Sequence, residues 1–251
     1  MTQYYLGKGK VFEAERDANG RPKALRWMGD VSSAKLSFKT TKVDHKESYS
    51  GLNTKVKSVT TAQEATFDLT MHEINTGNLS SGVSGKVTKL VAGSVTGEVL
   101  TGSLVAGDRV ALKYPKVSAV AITDSAGTPA TVSPTKYKVD PNFGSIDFLD
   151  VTGFQQPFKA AYSHGELESV SLLTAQQTEK YIRYEGINLG EGGAPIVVEL
   201  YKVKPEPFKD LALITDKFAD LSISAEVLRD ATKPADDEIG QFGRIIQVAP
   251  A

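Results

Sequence analysis

The sequence predicts a mainly β protein with one short helix and an inserted small β module. Three observations carry this reading. Apolar and polar residues alternate with period two in several places. Ala34, Leu36 and Phe38 stand against Lys35, Ser37 and Lys39; Ala65, Phe67, Leu69 and Met71 against Thr66, Asp68, Thr70 and His72; and Leu221, Ile223, Ala225 and Val227 against Ser222, Ser224 and Glu226. Such alternation buries one face of a strand and leaves the other in water. The punctuation between these stretches is short turn chemistry rather than helix capping, and Gly, Ser, Thr and Val recur throughout.

In chain order, Val11–Arg16 and Lys23–Met28 flank Asp17-Ala18-Asn19-Gly20. Asn-Gly supplies the positive φ angles of a tight hairpin, so the first element is a hairpin. Thr40–Ser58 is long, polar and basic without an apolar period, and it joins two patterned strands. An extended loop or a protruding hairpin is expected there, and connections of this length are usually functional or disordered. Gly77–Gly107 is poor in aromatics and predicts a short helix or irregular turn after Asn78, followed by hairpin material. Val120–Thr123, Tyr137–Val139 and Ile146–Phe148 are short strand patterns separated by turns at Ser125–Thr128 and Pro141–Gly144. They predict an inserted β-sandwich-like subdomain over residues 113–164, leaving 1–112 and 165–251 as one discontinuous β domain. Tyr181–Asn188 and Pro195–Val203 then flank the glycine-rich turn Leu189–Ala194, and Lys204-Pro205-Glu206-Pro207 ends the second strand. Phe208–Phe218 reads as a short helix, or as strand over Leu211–Ile214. No fixed-period repeat is present, which argues against solenoids and propellers.

Composition narrows the function. With 40% apolar residues, 24% charged residues and a net charge of −1, the chain is neither disordered nor a strongly basic nucleic-acid binder. The absence of cysteine excludes disulfides, thiolate zinc sites and cysteine nucleophiles. Apolar runs fall far short of the roughly 20 residues that a membrane helix needs. Met1-Thr2-Gln3-Tyr4-Tyr5 has no cationic stretch leading into an apolar one. A soluble chain made inside the cell, without a membrane partner, is therefore expected.

No catalytic constellation emerges. His45, His72 and His164 have no metal-ligand spacing. His164-Gly165-Glu166 matches half of a zinc-deaminase signature whose other half requires cysteines. Gly7-Lys8-Gly9 lacks the remaining spacing of a phosphate loop, and Gly190–Gly193 joins strands rather than opening a helix. Asp140, Asp147 and Asp150 suit turn and strand-end positions better than a calcium site. The expectation is no enzyme, no cofactor and no metal. Charge is more informative: residues 1–60 hold 12 cations and 6 acids, whereas residues 151–251 hold 10 and 15. A basic end and an acidic end suit head-to-tail association between copies.

Several segments resemble the major tail tube proteins of long-tailed, siphovirus-like bacteriophages. Gly7-Lys8-Gly9-Lys10-Val11-Phe12, the Arg16–Gly20 hairpin and Leu25–Val31 resemble the family's first strands. His45-Lys46-Glu47-Ser48-Tyr49-Ser50-Gly51 resembles its loop entry, and Tyr181–Asn188 its "FEGLN" strand. Val197–Asp230 is similar to its closing strands, so the likeness covers roughly residues 4–80 and 165–248. Two departures stand out: Asn78-Leu79 leads into Ser80-Ser81-Gly82 rather than a helix-forming segment, and residues 113–164 look inserted.

The resemblance implies a β-sandwich or half-barrel with a short flanking helix. It also implies that six copies form a ring, that rings stack into a tube in the virion tail, and that DNA passes through the lumen without specific binding. Assembly would occur in the host cytoplasm, with tape measure, tail tip and tail terminator proteins as further partners. On this reading Lys42, His45, Lys46, Lys55 and Lys57 meet acidic surface on the adjacent ring, part of it from Asp236, Asp237 and Glu238. Tyr4, Tyr5 and Leu6 dock the amino-terminal arm on a neighbour. The competing expectations are a carbohydrate- or receptor-binding β module of a virion, and a tube protein enclosed by a contractile sheath.

Overall fold

The structure is a computed structural model and describes residues 4–248. It is mainly β, with one α-helix and several antiparallel sheets. The chain forms two units, one from residues up to Val87 and from Val170 onward, the other from Thr88–Ser169.

Strand β1 is Gly7–Glu15, and it pairs with the two-residue β2, Arg26–Trp27, through Phe12↔Trp27 and Glu13↔Arg26. The turn between them is held by Asp17, whose carboxylate accepts the Asn19 and Arg21 amides at 2.9 and 2.8 Å. Gly20 there takes φ +73°, a conformation that costs glycine little. Strands β3, Val31–Lys46, and β4, Lys55–Met71, make one long hairpin. Helix α1, Thr76–Gly82, starts before the expected position, because Asn75 is the cap and its side chain accepts the Asn78 amide at 2.9 Å. Asn78 is inside the helix and fully buried, donating to the carbonyls of Met28 and Glu73. Strand β5 is Val87–Leu90.

The second unit holds β6 (Gly93–Leu100), β7 (Arg109–Ala111), β8 (Val117–Thr123), β9 (Tyr137–Asp140), β10 (Ser145–Phe148) and β11 (Phe158–His164). They form two three-stranded sheets, ordered β7-β10-β9 and β6-β11-β8, around Leu100, Ile122, Val132, Ile146, Phe148 and Phe158. Strand β12, Leu167–Val170, pairs with β5. This corrects the expected limits of 113–164. The unit begins at Thr88 because β6 flanks β11 and β7 flanks β10, and Leu100, Leu104 and Leu112 belong to its core. The Gly- and Ser-rich pattern before Lys113 conceals those strands.

Strand β13 is Lys180–Asn188, β14 is Ala194–Pro205, β15 is Leu221–Val227 and β16 is Gly243–Gln247. The principal sheet runs β2-β1-β13-β14-β15-β4-β3. One edge of β14 is shared: Ile196–Leu200 pairs with β16, and Val203–Pro205 with β15. The sheet therefore forks, and its two arms bury a common core. Val11, Ile182, Leu200 and Val203 come from one arm, and Phe67, Leu69, Met71, Leu221 and Ile223 from the other. Each fully buried side chain of this kind contributes about 1.5–3 kcal/mol. Residues 206–220 hold neither the expected helix nor the alternative strand. Phe208 and Leu211 pack on the core, and the rest of the segment stays irregular.

A smaller cluster of Ala14, Tyr181 and Tyr201 is covered by Ile239, from the segment that leads into β16. Asp230 ties this segment down through Arg16 Nη2 at 2.6 Å.

Candidate functional site

The hairpin is the feature least explained by its own fold. The inner half of β4, Ala65–Met71, alternates buried and half-buried residues, whereas Lys39–Lys46 and Lys55–Thr61 are exposed almost throughout. Beyond Val227, β15 no longer flanks β4, so the outer hairpin is a two-stranded ribbon. Val43, Val56 and Val59 stay in water there, as do Tyr49 and Leu52 at the tip.

Glu47 builds the tip. Its carboxylate accepts the Ser50 amide at 2.9 Å and the Thr54 hydroxyl at 3.0 Å, and it also accepts the Ser50 hydroxyl. These bonds, the Ser50 hydroxyl first, hold the Glu47 carboxyl at about 2. Of the expected cations, Lys55 is already engaged with Asp44 at 2.8 Å. That contact, with the Ser58 hydroxyl at 2.6 Å, lowers the Asp44 carboxyl below its ordinary value. Lys42, His45, Lys46 and Lys57 are exposed along the same ribbon.

Among the described residues, Asp236, Asp237 and Glu238 form no ion pair with these cations. Asp236 instead accepts the Ile239 amide at 2.8 Å and so shapes its own turn, while Asp237 and Glu238 face solvent. The amino-terminal arm is anchored on its own chain. The Leu6 amide donates to Asn188 Oδ1 at 2.9 Å, Asn188 Nδ2 donates to the Tyr4 carbonyl at 2.8 Å, and the Tyr4 amide donates to Glu191 at 2.9 Å. The side chains of Tyr4, Tyr5 and Leu6 nonetheless remain exposed.

Gly7-Lys8-Gly9 has a structural use. A Cβ at Gly9 would stand 2.4 Å from the Glu185 carbonyl, and one at Gly186 would stand 2.1 Å from the Tyr184 hydroxyl. These glycines make a flat floor on which the Tyr184 ring lies. Between β1 and β3, where the sheet stops short of closing, lies a cavity of about 580 Å³ lined by Lys8, Val11, Ala34, Leu36, Tyr184 and Val198.

The histidines do not converge. His45 lies on the hairpin; His72 Nδ1 meets Asp220 at 2.6 Å; His164 is buried, with Nδ1 3.0 Å from the Gly165 carbonyl and its ring 4.4 Å from that of Tyr114. Arg109 lies 3.5 Å from both Asp140 and Asp147, and Lys136 holds Asp150 at 2.8 Å. Among the described residues no group of His, Asp and Glu is arranged to hold a metal ion.

Sequence reading missed two features. Glu47 sits inside the quoted loop entry, but only the fold reveals it as the hub of the tip. Leu213, Ile214 and Phe218 are 86%, 96% and 97% exposed, although their apolar character had pointed to a helix or a strand.

Residues 4–246 match a family described as "Protein of unknown function UCP028589", and the chain belongs to that family. No curated protein matches the chain.

Proposed function

We propose that the chain is a structural, non-enzymatic subunit that assembles with copies of itself into rings. The rings stack into a tube of the kind found in long-tailed phages, a conduit for DNA in the virion tail. The observation that supports this reading is the projecting hairpin. An isolated two-stranded ribbon is marginal in water, and this one leaves valines and a long strand edge exposed. Such an edge is a template for pairing with another chain, and closure into a ring satisfies it. In the assembly, Lys42, His45, Lys46 and Lys57 meet acidic surface of the next ring, with Asp237 and Glu238 as candidate partners. Lys55 serves the hairpin's own geometry through Asp44. A net charge of −1 suits a lumen that must release DNA, because each neutralised phosphate contact would strengthen retention. Tape measure, tail tip and terminator proteins would cap and measure such a tube.

Size-exclusion chromatography with negative-stain electron microscopy, over a concentration and salt series, tests the reading. Six-membered rings or hollow tubes are expected. A monomer that persists under every condition, including addition of the tail-tip initiator, overturns it.

A further inference from the structure

The chain carries an apolar knob and an apolar socket that it does not fit together itself. The knob is Leu213, Ile214 and Phe218 in the loop between β14 and β15. With Phe218 97% exposed, its ring touches almost nothing in its own chain. The loop is not simply loose, because the Phe208 amide donates to the Gly82 carbonyl at 2.6 Å and Leu211 packs on the core. The other end is held where Asp220 meets His72 Nδ1 at 2.6 Å, beside the start of β15, so the apolar side chains between the two anchors are held outward.

The socket lies between the two arms of the forked sheet. It is a cavity of about 180 Å³ lined by Leu36, Phe38, Val198, Leu200, Phe242 and Ile245. A dry apolar cavity of about 150 Å³ accommodates one benzene ring, so the space suits a single phenyl group. Phe38 at its rim is 75% exposed although it lies on the strand face that Leu36 turns toward the core. Knob and socket are separated along β15: the loop ends at Asp220, beside the Leu221↔Met71 pair, whereas the socket lies at the Val227↔Ala65↔Phe38 row. Six residues of strand span about 20 Å.

Charge favours the same match. The loop from Phe208 to Asp220 carries two lysines and three aspartates, and the stretch of β3 from Lys35 to Lys46 carries four lysines and one aspartate.

We propose that Phe218 of one copy inserts into the socket between Phe38, Leu200 and Phe242 of a second copy, with Leu213 and Ile214 covering the rim. Two different patches on one molecule make a heterologous contact, which propagates head to tail instead of closing a two-fold dimer. The inference rests on the tube reading for its place in an assembly, and supplies that assembly with a contact between successive subunits.

Because the chain has no cysteine, the test is clean. Thr40→Cys, on the same strand face as Phe38, and Lys217→Cys, next to Phe218, leave both rings in place; they are made singly, oxidised alone and mixed, and also combined in one chain. Oxidised samples are read on a non-reducing gel, and wild type is imaged alongside. Disulfide-linked dimers from the mixture, and a ladder of dimers, trimers and longer chains from the double variant, are expected. A variant carrying Ile214→Asp and Phe218→Ser, which alters only exposed side chains, should remain folded and lose at least tenfold in assembly at a given concentration. If wild type forms tubes but the mixture does not cross-link, or the loop variant assembles normally, the contact is overturned and the tube reading stands. If the ladder forms while wild type makes neither rings nor tubes with initiator, the contact stands and the tube reading falls.

Discussion

Replacing Asp230 by Asn tests how the covering segment is tied to the sandwich. Asp230 is 2% exposed and Arg16 is 10% exposed, with Nη2 to Oδ2 at 2.6 Å. The other partner of Arg16, Glu179, is 42% exposed and more distant, at 3.3 Å. Arg16 Nε has no partner among the described residues. An asparagine keeps the shape and the contacts to Thr232, but leaves a buried guanidinium with only the outer, screened carboxylate. Removing one member of a buried pair costs about 3–5 kcal/mol, because the remaining charge stays desolvated. At about 2 kcal/mol per molar for urea, the midpoint falls by about 1.5–2.5 M. The single tryptophan, Trp27, lies in β2 of the same unit, so its fluorescence during a urea titration reports this transition. The double variant Arg16→Met/Asp230→Asn should regain most of the loss, since it removes the stranded guanidinium and keeps the Thr232 contacts. A cost below about 1 kcal/mol for Asp230→Asn would show that water reaches the pair as it reaches a surface salt bridge, and would refute the reasoning.

Other outcomes follow from the same contacts. Burial raises the Asp230 carboxyl, but Thr232 and Arg16 outweigh it and hold it below its ordinary value. Its stabilisation is therefore complete above the unfolded value near about 3.9 and is lost as pH falls through the folded one; acid titration of Asp230→Asn should lack this component. Glu47→Ala should speed hydrogen exchange at the amides of Tyr49 and Ser50 and open the tip to protease, leaving the Trp27 transition unmoved. In the wild type, tip protection should persist below the ordinary range of a glutamate and fade as pH approaches about 2. Phe148→Ala removes a fully buried ring stacked 5.0 Å from Phe158. It should cost the Thr88–Ser169 unit about 3–5 kcal/mol, visible by calorimetry, with little effect on Trp27. In Gly82→Ala the new methyl would fall 1.8 Å from the Phe208 ring. The ring must move, and a thermal melt should register a loss of about 1–3 kcal/mol.

Legibility in the sequence followed burial. The alternations at Ala65–Met71 and Leu221–Val227 are strands because one face of each meets a core, and Asn19-Gly20 is a turn because of its backbone preference; both signals are local. The alternation at Ala34–Phe38 is a strand through its pairing with β4, because only Leu36 of its apolar face packs on the core and Ala34 and Phe38 stay exposed. The start of the second unit was not legible, because Leu100, Leu104 and Leu112 are separated by Gly, Ser and Asp and reveal their common core only once β6 lies beside β11. The loop from Phe208 to Asp220 misled for the opposite reason. Its leucines and phenylalanines look like core, and only two of them, Phe208 and Leu211, pack on it. The cations of Thr40–Ser58 were legible as a group. That Lys55 turns inward to Asp44, or that Glu47 gathers the tip, depends on register and not on composition.

The placement of charge on β3 bears on how an exposed strand edge stays in solution. Lys35, Lys39, Lys42 and Lys46 recur along the whole outer strand, and edge lysines repel a second identical edge. Of the four, Lys39 has a mate within the hairpin, Glu64 at 3.3 Å. Edge-to-edge pairing of two such strands would therefore bring lysine rows together, and added salt would relieve the repulsion. A contact between this ribbon and an acidic surface has the opposite sign, because screening over about 8 Å at physiological ionic strength weakens attraction between exposed charges. Association that strengthens with salt thus marks edge stacking. Association that weakens with salt marks the acidic partner. The hairpin and the socket make separable contributions, and a salt series on the wild type and on the Ile214→Asp/Phe218→Ser variant resolves them.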